Sequence, residues 1–548
     1  MTENYLNILA DTIRNNWDKP ALTDFYLTED GTAQDTSRGN HFTYGEMYAE
    51  IVRVADLLTR LGLQKGDHIA ICGANSAHWV IAYLAIAKMQ GVSVTIMHSL
   101  QSEQIAQMIN FSDAKALFTD EELWAELKEK PLPQVKNVIS LANWNVMRGE
   151  NISLPFTGEE LCSIERPVDG RRTMQEVGLP HTEPDSLAMI CFTSGSSGKP
   201  KGVMLPYRSL NANIAIKFED FIKSKGRISL SWLPNGHIYG LLAEVLQPMC
   251  IGISVVIFCG QVNAATFLNL VGLVKPAIIM TVPVVLESII GNLKLYTSDI
   301  CVLREKLLAL FGAQVDLIGV GGALLSNELE EVLYSPEVPL GMSYGMTECG
   351  PRIALALAHE LKPHTVGIIL PTLTGRIAPN GEILVKGENV MLGYYKDPEA
   401  TAQKIDKDGW LHTGDKGHLD EDGYLYVEGR LEQDIIVLPN GENIRPDTIE
   451  ALINALPEVS ESIVLERDGK LVAIVVAAYS LHCSTTVHRT LDRAKLFTRK
   501  GKGDDIRRTI LRAINPQLPL FSQLYDVEIT DQPLARTEKQ TLKRYLYK

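Results

Sequence analysis

The sequence has no apolar run clean enough to cross a bilayer, no paired-cysteine motif, no low-complexity tract and no surplus of positive charge. Each absence removes a class of protein. The most apolar stretch, Leu241 to Cys259, is interrupted by Glu244, Gln247 and Pro248, which makes it a poor membrane span and a plausible buried element. The eight cysteines (Cys72, Cys162, Cys191, Cys250, Cys259, Cys301, Cys349 and Cys483) are scattered, with no CxxC pair and no clustering with histidines. Neither a zinc knuckle nor a disulfide framework is therefore expected. With 52 basic against 66 acidic residues the net charge is -14, which repels phosphate backbones in bulk and argues against nucleic acid as a partner. Met1-Thr2-Glu3-Asn4 opens with polar and acidic residues rather than a basic stretch followed by an apolar core. No secretory leader is expected, and the expected location is the cytoplasm, with peripheral membrane contact left open.

What is present is an ordinary globular composition, 45% hydrophobic and 22% charged, over 548 residues. That length exceeds what one hydrophobic core serves, so two or more domains are expected. An apolar run at Ile69 to Cys72, a helical stretch at Ala77 to Met89 and a second β-rich run at Val92 to Met97 read as a βαβ unit. Ala277 to Met280 and Val315 to Val320 repeat the pattern, the latter before Gly321-Gly322 and a helix from about Ser326 to Leu333. The fold class predicted is α/β with largely parallel sheets. After Gly381 the texture changes to short strands and turns (Ile383 to Val385, Tyr424 to Val427, Ile435 to Leu438), with a turn signal at Asn440-Gly441. A helix at about Pro446 to Leu456 and strands near Ile463 to Leu465 and Leu471 to Ala477 suggest a small α+β unit, with the boundary near Arg430. The basic stretch 489–502 (Arg489, Arg493, Lys495, Arg499, Lys500 and Lys502) reads as a solvated loop, or as a contact for a phosphorylated partner.

The strongest local signal follows the strand-like run Leu187 to Phe192: Thr193-Ser194-Gly195-Ser196-Ser197-Gly198-Lys199-Pro200-Lys201-Gly202. Glycines let backbone approach an anion, hydroxyls and free N–H groups donate, and two lysines supply charge, which together describe a phosphate-gripping loop. It is not a Walker A loop, because only two residues separate Gly195 from Gly198-Lys199 and Pro200 stands where that motif places Ser or Thr. A plain Ser/Gly turn is the blander reading, and the two lysines count against it.

This loop resembles the signature of the adenylate-forming superfamily of acyl-CoA synthetases, adenylation domains and luciferases. Further matches follow in order to the chain's end. Ser231-Trp232-Leu233-Pro234-Asn235-Gly236-His237-Ile238-Tyr239-Gly240 resembles the family's "LPxxHxxx" form typical of long-chain acyl-CoA synthetases, where the histidine borders the carboxylate pocket. No residue from 234 to 240 is acidic, which fits an uncharged acyl tail better than an amine-bearing acid. Gly321-Gly322-Ala323 resembles the adenine-side motif, with Leu324 where many relatives have Pro. Ser343-Tyr344-Gly345-Met346-Thr347-Glu348 resembles "YGxTE". By resemblance Tyr344 packs on adenine, Thr347 bonds the phosphate region and Glu348 coordinates magnesium, with Thr193 as a second oxygen donor. Gly409 to Asp415 matches the motif whose aspartate binds both ribose hydroxyls, and Arg430 is expected near ribose or phosphate, with a hinge at about Glu432.

The final motif departs from its relatives. Pro533-Leu534-Ala535-Arg536-Thr537-Glu538-Lys539-Gln540-Thr541-Leu542-Lys543-Arg544 puts Thr541 where the adenylation lysine is expected, flanked by Lys539 and Lys543. Positions two apart in an extended segment face the same way, and Lys539 is the favoured substitute.

The resemblance thus implies an α/β protein with a large N-terminal domain, 1–430, of two βα-layered subdomains and a small barrel-like β subdomain. A small mobile α+β domain, 431–548, would rotate about the hinge between steps. It implies ATP- and Mg²⁺-dependent activation of a medium- to long-chain fatty acid to acyl-AMP, then transfer to CoA, with His237, Thr347, Glu348, Arg430 and Lys539 in the chemistry. Loading of a carrier-protein phosphopantetheine, or an impaired paralogue that only binds acyl-adenylate, are the alternatives; oligomeric state stays open.

Overall fold

The computed structural model describes residues 2–149, 177–193, 200–216, 227–260, 262–357, 360–431, 436–437, 443–444, 446–467, 470–478, 500–518, 522–530, 532–536 and 546–547. The chain divides into two compact units, Met1–Glu428 and Gly429–Lys548.

Two large mixed sheets organise the first unit. One has the strand order Gly393–Tyr394, Lys201–Pro206, Leu187–Thr193, Val92–Thr95, His68–Cys72, Ala116–Thr119, Asn137–Ser140, Val146–Arg148. Its five central strands run parallel, and the Leu187–Thr193/Lys201–Pro206 hairpin is antiparallel. The βαβ unit expected at its centre is present as His68–Cys72, the helix Ala77–Lys88 and Val92–Thr95. That helix has no polar face: every residue from Ala77 to Ala87 is buried, because the helix lies inside the main core rather than on its surface. Its start is fixed by Ser76, whose side chain accepts the Trp79 N–H, and by Asp24, which accepts the Ala77 N–H.

The other sheet has nine strands in the order Ile368–Ile369, Arg352–Leu357, Leu340–Gly345, Leu317–Val320, Ile278–Thr281, Ile228–Ser231, Ser254–Phe258, Pro20–Phe25, His41–Thr43. From Leu340–Gly345 to Pro20–Phe25 all neighbours are parallel. The apolar run that no membrane helix could use becomes a π-helical turn, Leu241–Leu246, a short helix, Gln247–Cys250, and the strand Ser254–Phe258, nearly all of it buried. Among the described residues no helix is long and apolar enough to cross a membrane. The texture change after Gly381 is a four-stranded sheet, Leu373–Ile377, Glu382–Gly387, Leu411–Leu419 and Leu425–Arg430.

The second unit packs helices Pro446–Asn454 and Lys500–Ile514 on the strands Val459–Arg467, Lys470–Ala477 and Leu524–Thr530, around Ile449, Ile453, Val464, Val475 and Ile510. The expected α/β class with a small α+β C-terminal part is observed. One local expectation is corrected: Lys500 and Lys502 are not in a loop but in the first turn of the helix Lys500–Ile514, whose apolar residues repeat at helical spacing further on. The rest of the basic stretch, 489–499, lies outside the described residues.

Trp79 is fully buried and stacked on Tyr83, with ring centroids 6.3 Å apart. Trp79→Ala is expected to lower the unfolding free energy of the first unit by about 3–5 kcal/mol, the cost of emptying an aromatic site in a packed core. Urea unfolding followed by near-UV circular dichroism measures it.

Candidate active site

In a parallel sheet, ligands gather outside the carboxyl ends of the strands. The segments singled out in the sequence lie there in the nine-stranded sheet: the turn 232–237 follows Ile228–Ser231, Gly321-Gly322-Ala323 follows Leu317–Val320, and Ser343, Tyr344 and Gly345 end Leu340–Gly345. The glycines are demanded by space. A Cβ on Gly321 would sit 3.3 Å from both the Ser343 carbonyl and the Tyr239 ring, and Gly322 has φ +88°, where a side chain is strained. At Gly345 a Cβ would stand 1.9 Å from the Pro351 carbonyl oxygen, so nothing larger fits without moving the backbone.

Met346 leads from that strand into a single helical turn, Thr347–Cys349, which buries both Thr347 and Glu348. Buried amides hold the turn in place: Asn213 donates to the Cys349 carbonyl at 3.1 Å and accepts the Arg352 N–H at 3.0 Å, and Asn389 donates to the Arg352 carbonyl at 3.2 Å. Arg352 is itself buried, its Nη1 directed to the Asn213 carbonyl at 3.5 Å, and desolvation lowers its guanidinium to about 10. Tyr239 is the ring that faces this charge.

Three contacts join the separate motifs. The Tyr344 hydroxyl donates to Asp415 Oδ2 at 2.6 Å, so the residues expected at adenine and at ribose are bonded to each other. Asp415 is 8% exposed, and its position is set from behind. Its N–H donates to Thr413 Oγ1 at 3.0 Å, Thr413 donates to the Ile383 carbonyl at 2.7 Å, and Glu382 accepts the Gly414 N–H at 2.9 Å. The second and third contacts meet on Tyr394. Its hydroxyl donates to Glu348 Oε1 at 2.7 Å, and the Lys201 ammonium stands over its ring, 4.9 Å from the centroid.

Lys201 opens the strand paired with Leu187–Thr193, opposite Thr193, so the two flanks of the Gly/Ser loop stand side by side. Ser194, Gly195, Ser196, Ser197, Gly198 and Lys199 lie outside the described residues, as do Glu432, Lys539, Thr541 and Lys543. Arg430 is the exposed last residue of Leu425–Arg430.

His237 caps a short helical turn, its Nδ1 accepting the Tyr239 N–H at 3.1 Å. That bond leaves the ring proton on Nε2, which gives the site a neutral donor. Tyr239's hydroxyl is buried and has no hydrogen-bond partner among the described residues.

Comparison with known proteins identifies the arrangement. The profile of AMP-binding enzymes matches residues 9–395, and that of the AMP-binding enzyme C-terminal domain matches 433–547. The chain belongs to the AMP-binding enzyme family. A 4-coumarate–CoA ligase of Vanilla planifolia is 28% identical over 481 residues, spanning 84% of this chain and 82% of its own length. Among solved structures, ATP-bound MatB from Rhodopseudomonas palustris superposes with a TM-score of 0.75 at 23% identity, covering 100% of this chain and 98% of that one. MenE from Bacillus subtilis, an o-succinylbenzoate CoA synthetase in complex with its acyl-adenylate, gives 0.70 at 22% identity, covering 99% and 98%. Both structures share the fold.

For an AMP-binding enzyme, the sequence reading missed Tyr394, Asn213, Asn389 and Arg352. Only Gly393-Tyr394-Tyr395, a glycine before two tyrosines, offered a signal, and it names no chemistry by itself. Glu348, with one oxygen held by Tyr394, and the Thr193 hydroxyl are hard oxygen donors of the kind magnesium takes. Among the described residues no three His, Cys, Asp or Glu side chains gather into a metal group.

Gly345→Ala is expected to weaken ATP binding more than about tenfold, because the strand end must move to admit the methyl group. Gly272→Ala, with nothing within 4 Å of its Cβ, should leave affinity unchanged. Isothermal titration with ATP compares them.

Proposed function

We propose that the chain is an ATP-dependent, AMP-forming ligase that activates a carboxylic acid as its acyl-adenylate and passes the acyl group to the thiol of CoA. The observation that carries this reading is the bridge through Tyr394. It ties a cation, Lys201, and a buried carboxylate, Glu348, to one ring, and Glu348 lies four residues beyond Tyr344, the partner of Asp415.

Adenylation brings two anions together, an acyl carboxylate and the α-phosphate, so the protein's task is charge neutralisation and alignment. The loop lysines Lys199 and Lys201 with the loop N–H groups would grip the phosphates, and Asp415 would accept both ribose hydroxyls. The Nε2–H of His237 would donate to the acid's carboxylate and hold it for attack. Glu348 and Thr193 would hold a magnesium ion, whose chemistry is to offset the charge of departing pyrophosphate. Lys539 would supply the remaining positive charge during adenylation, in the place of Thr541. In the thiol step the CoA sulfur attacks the activated carbonyl and AMP leaves.

The acid's tail has two readings. The family form around His237 suggests a medium- to long-chain fatty acid. The second reading is an aryl acid. Leu233, Ala243, Ile278, Met280 and Leu317 form a closed apolar cluster, and the void among Ala243, Gln247, Pro248, Ile251, Ile278, Met280 and Leu317 is about 10 Å³. That is about one water-sized sphere, so the cluster is filled by its own side chains and admits neither an alkyl chain nor a ring as it stands. The buried Tyr239 hydroxyl suits a ring substituent, and the chain's likeness to 4-coumarate–CoA ligases points the same way.

The test is pyrophosphate release with ATP, Mg²⁺ and a panel of aryl and C2 to C18 alkyl acids, with CoA or a holo-carrier protein as acceptor. Aryl acids are expected to give the highest rates, with CoA as acceptor. Lys539→Ala is expected to slow adenylation by about 10²–10³-fold, and Lys543→Ala much less. The reverse order moves the role to Lys543. A best rate with long alkyl acids restores the fatty-acid reading, and no acid-dependent release with any acid removes the ligase assignment.

A further inference from the structure

Glu244 is the acidic residue that interrupts the most apolar stretch of the chain, and the structure buries it completely, at 0% exposure. A buried carboxyl group without partners is costly, so where its oxygens point is informative. Oε2 accepts two backbone N–H groups, from Trp232 at 3.0 Å and from Leu233 at 2.9 Å. These are the first two residues beyond the strand Ile228–Ser231, where ladder bonding stops and the turn to His237 begins. Glu244 also takes a bond on its main chain, its carbonyl accepting the Ser229 hydroxyl at 3.0 Å. The residue sits in the π-helical turn Leu241–Leu246, a widened turn of the sort that re-aims side chains near functional sites.

The opposite side of the same turn is gripped by Asn75. Its Nδ2 donates to the Leu233 carbonyl at 2.8 Å and its Oδ1 accepts the Asn235 N–H at 2.9 Å. Close backbone contacts limit movement further along: a Cβ on Gly236 would reach the Ile96 carbonyl at 2.8 Å, and one on Gly240 the Pro234 carbonyl at 2.7 Å. Trp232 adds a bond from Nε1 to the Met280 carbonyl at 2.7 Å.

We infer that Glu244 is a positioning residue of the acid site, whose carboxyl group clamps the Trp232–His237 turn from behind and so sets where the His237 imidazole stands. The inference rests on the acid-ligase reading, in which His237 borders the reacting carboxylate. Glu244 touches neither substrate; it acts through the two N–H groups it accepts. Burial pushes its carboxyl well above the usual carboxylate range, against the N–H groups of Leu233 and Trp232, which favour the charged form.

Two substitutions separate the clamp from mere packing. Glu244→Gln keeps an acceptor oxygen for both N–H groups, whereas Glu244→Met keeps the length and volume and removes the acceptor. In Glu244→Met, kcat/KM for the acid is expected to fall about 10–100-fold, the range seen when the support of a site residue is lost, while the KM for ATP stays within about twofold. Hydrogen–deuterium exchange should accelerate at Trp232 and Leu233. Glu244→Gln should stay within about threefold of wild type in both readouts.

If Glu244→Met does not fold, Glu244→Asp, which draws the acceptor back by one methylene, is expected to lose about tenfold in the same parameter. Wild-type kinetics and exchange in Glu244→Met, or in Glu244→Asp where it stands in, overturn the inference. Equal losses in Glu244→Gln and Glu244→Met, or parallel losses toward acid and ATP, do so as well. A wild-type enzyme that releases no pyrophosphate with any acid removes the ligase reading instead, and the exchange comparison then decides the clamp by itself.

Discussion

Tyr394 carries its hydroxyl to Glu348 and its ring beneath the Lys201 ammonium, and the end of the site proposed for the phosphates is assembled around those two contacts. Lys201 belongs to the eight-stranded sheet and Glu348 to a turn of the nine-stranded one. The short strand Gly393–Tyr394 pairs with Lys201–Pro206, and Met391 donates its N–H to the Glu348 carbonyl at 2.9 Å. One segment of four residues, Met391 to Tyr394, thus links a cation and an anion that lie far apart in sequence. Were either charge free to wander, the pair would be worth little, since exposed ion pairs are weak and screened. Held against a ring and a hydroxyl, they are ready before any ligand arrives, which is where electrostatic preorganisation draws its effect.

The second constraint is the parallel order of the strands. Parallel neighbours force each connection to cross over, and their carboxyl ends come out together at one edge. Three separate turns, after Ile228–Ser231, Leu317–Val320 and Leu340–Gly345, are brought to that edge by nothing more than sheet order. Crowding follows. The space at Gly321 is shared with Tyr239 and the Ser343 carbonyl, and that at Gly345 with Pro351, so the residues are small because backbones approach there.

Much of this was legible in the sequence. Alternation of apolar strands with helices gave the α/β class, and loops rich in glycine and hydroxyls marked where the chain turns near charge. The bond from Tyr344 to Asp415 joins two residues picked out separately, and the Thr193/Lys201 pairing follows from a short loop between two strands. What was not legible shares a physical cause. Tyr394, Asn213, Asn389 and Arg352 act through main-chain groups or single contacts in remote segments, and local periodicity carries no trace of such partners. The first turn of Lys500–Ile514 was read as loop because lysine and glycine dominate it, although the apolar spacing from Ile506 onward sustains a helix. Substrate class was the least legible feature, because it turns on how closely the side chains around an acid pack, and packing distance is not written in residue type.

The polar groups that hold the turn before His237 act on main chain rather than on side chains. Asn75 and Glu244 both reach main-chain groups beyond the strand end, across sequence separations of 158 and 12 residues to Leu233 and Trp232 respectively. An apolar side chain in either place would fill the same volume and leave buried N–H groups without acceptors, which costs more than the bonds themselves contribute. A charged carboxylate would accept the same N–H groups more strongly. Under the ligase reading, however, that charge would add to the two anions that must meet at the site, and a buried charge is poorly screened. Burial acts against that charge by pushing the Glu244 carboxyl well above the usual carboxylate range. What holds the turn is the placing of Oε2 against two N–H groups that the strand ladder leaves open, and an acid and an amide offer that acceptor equally.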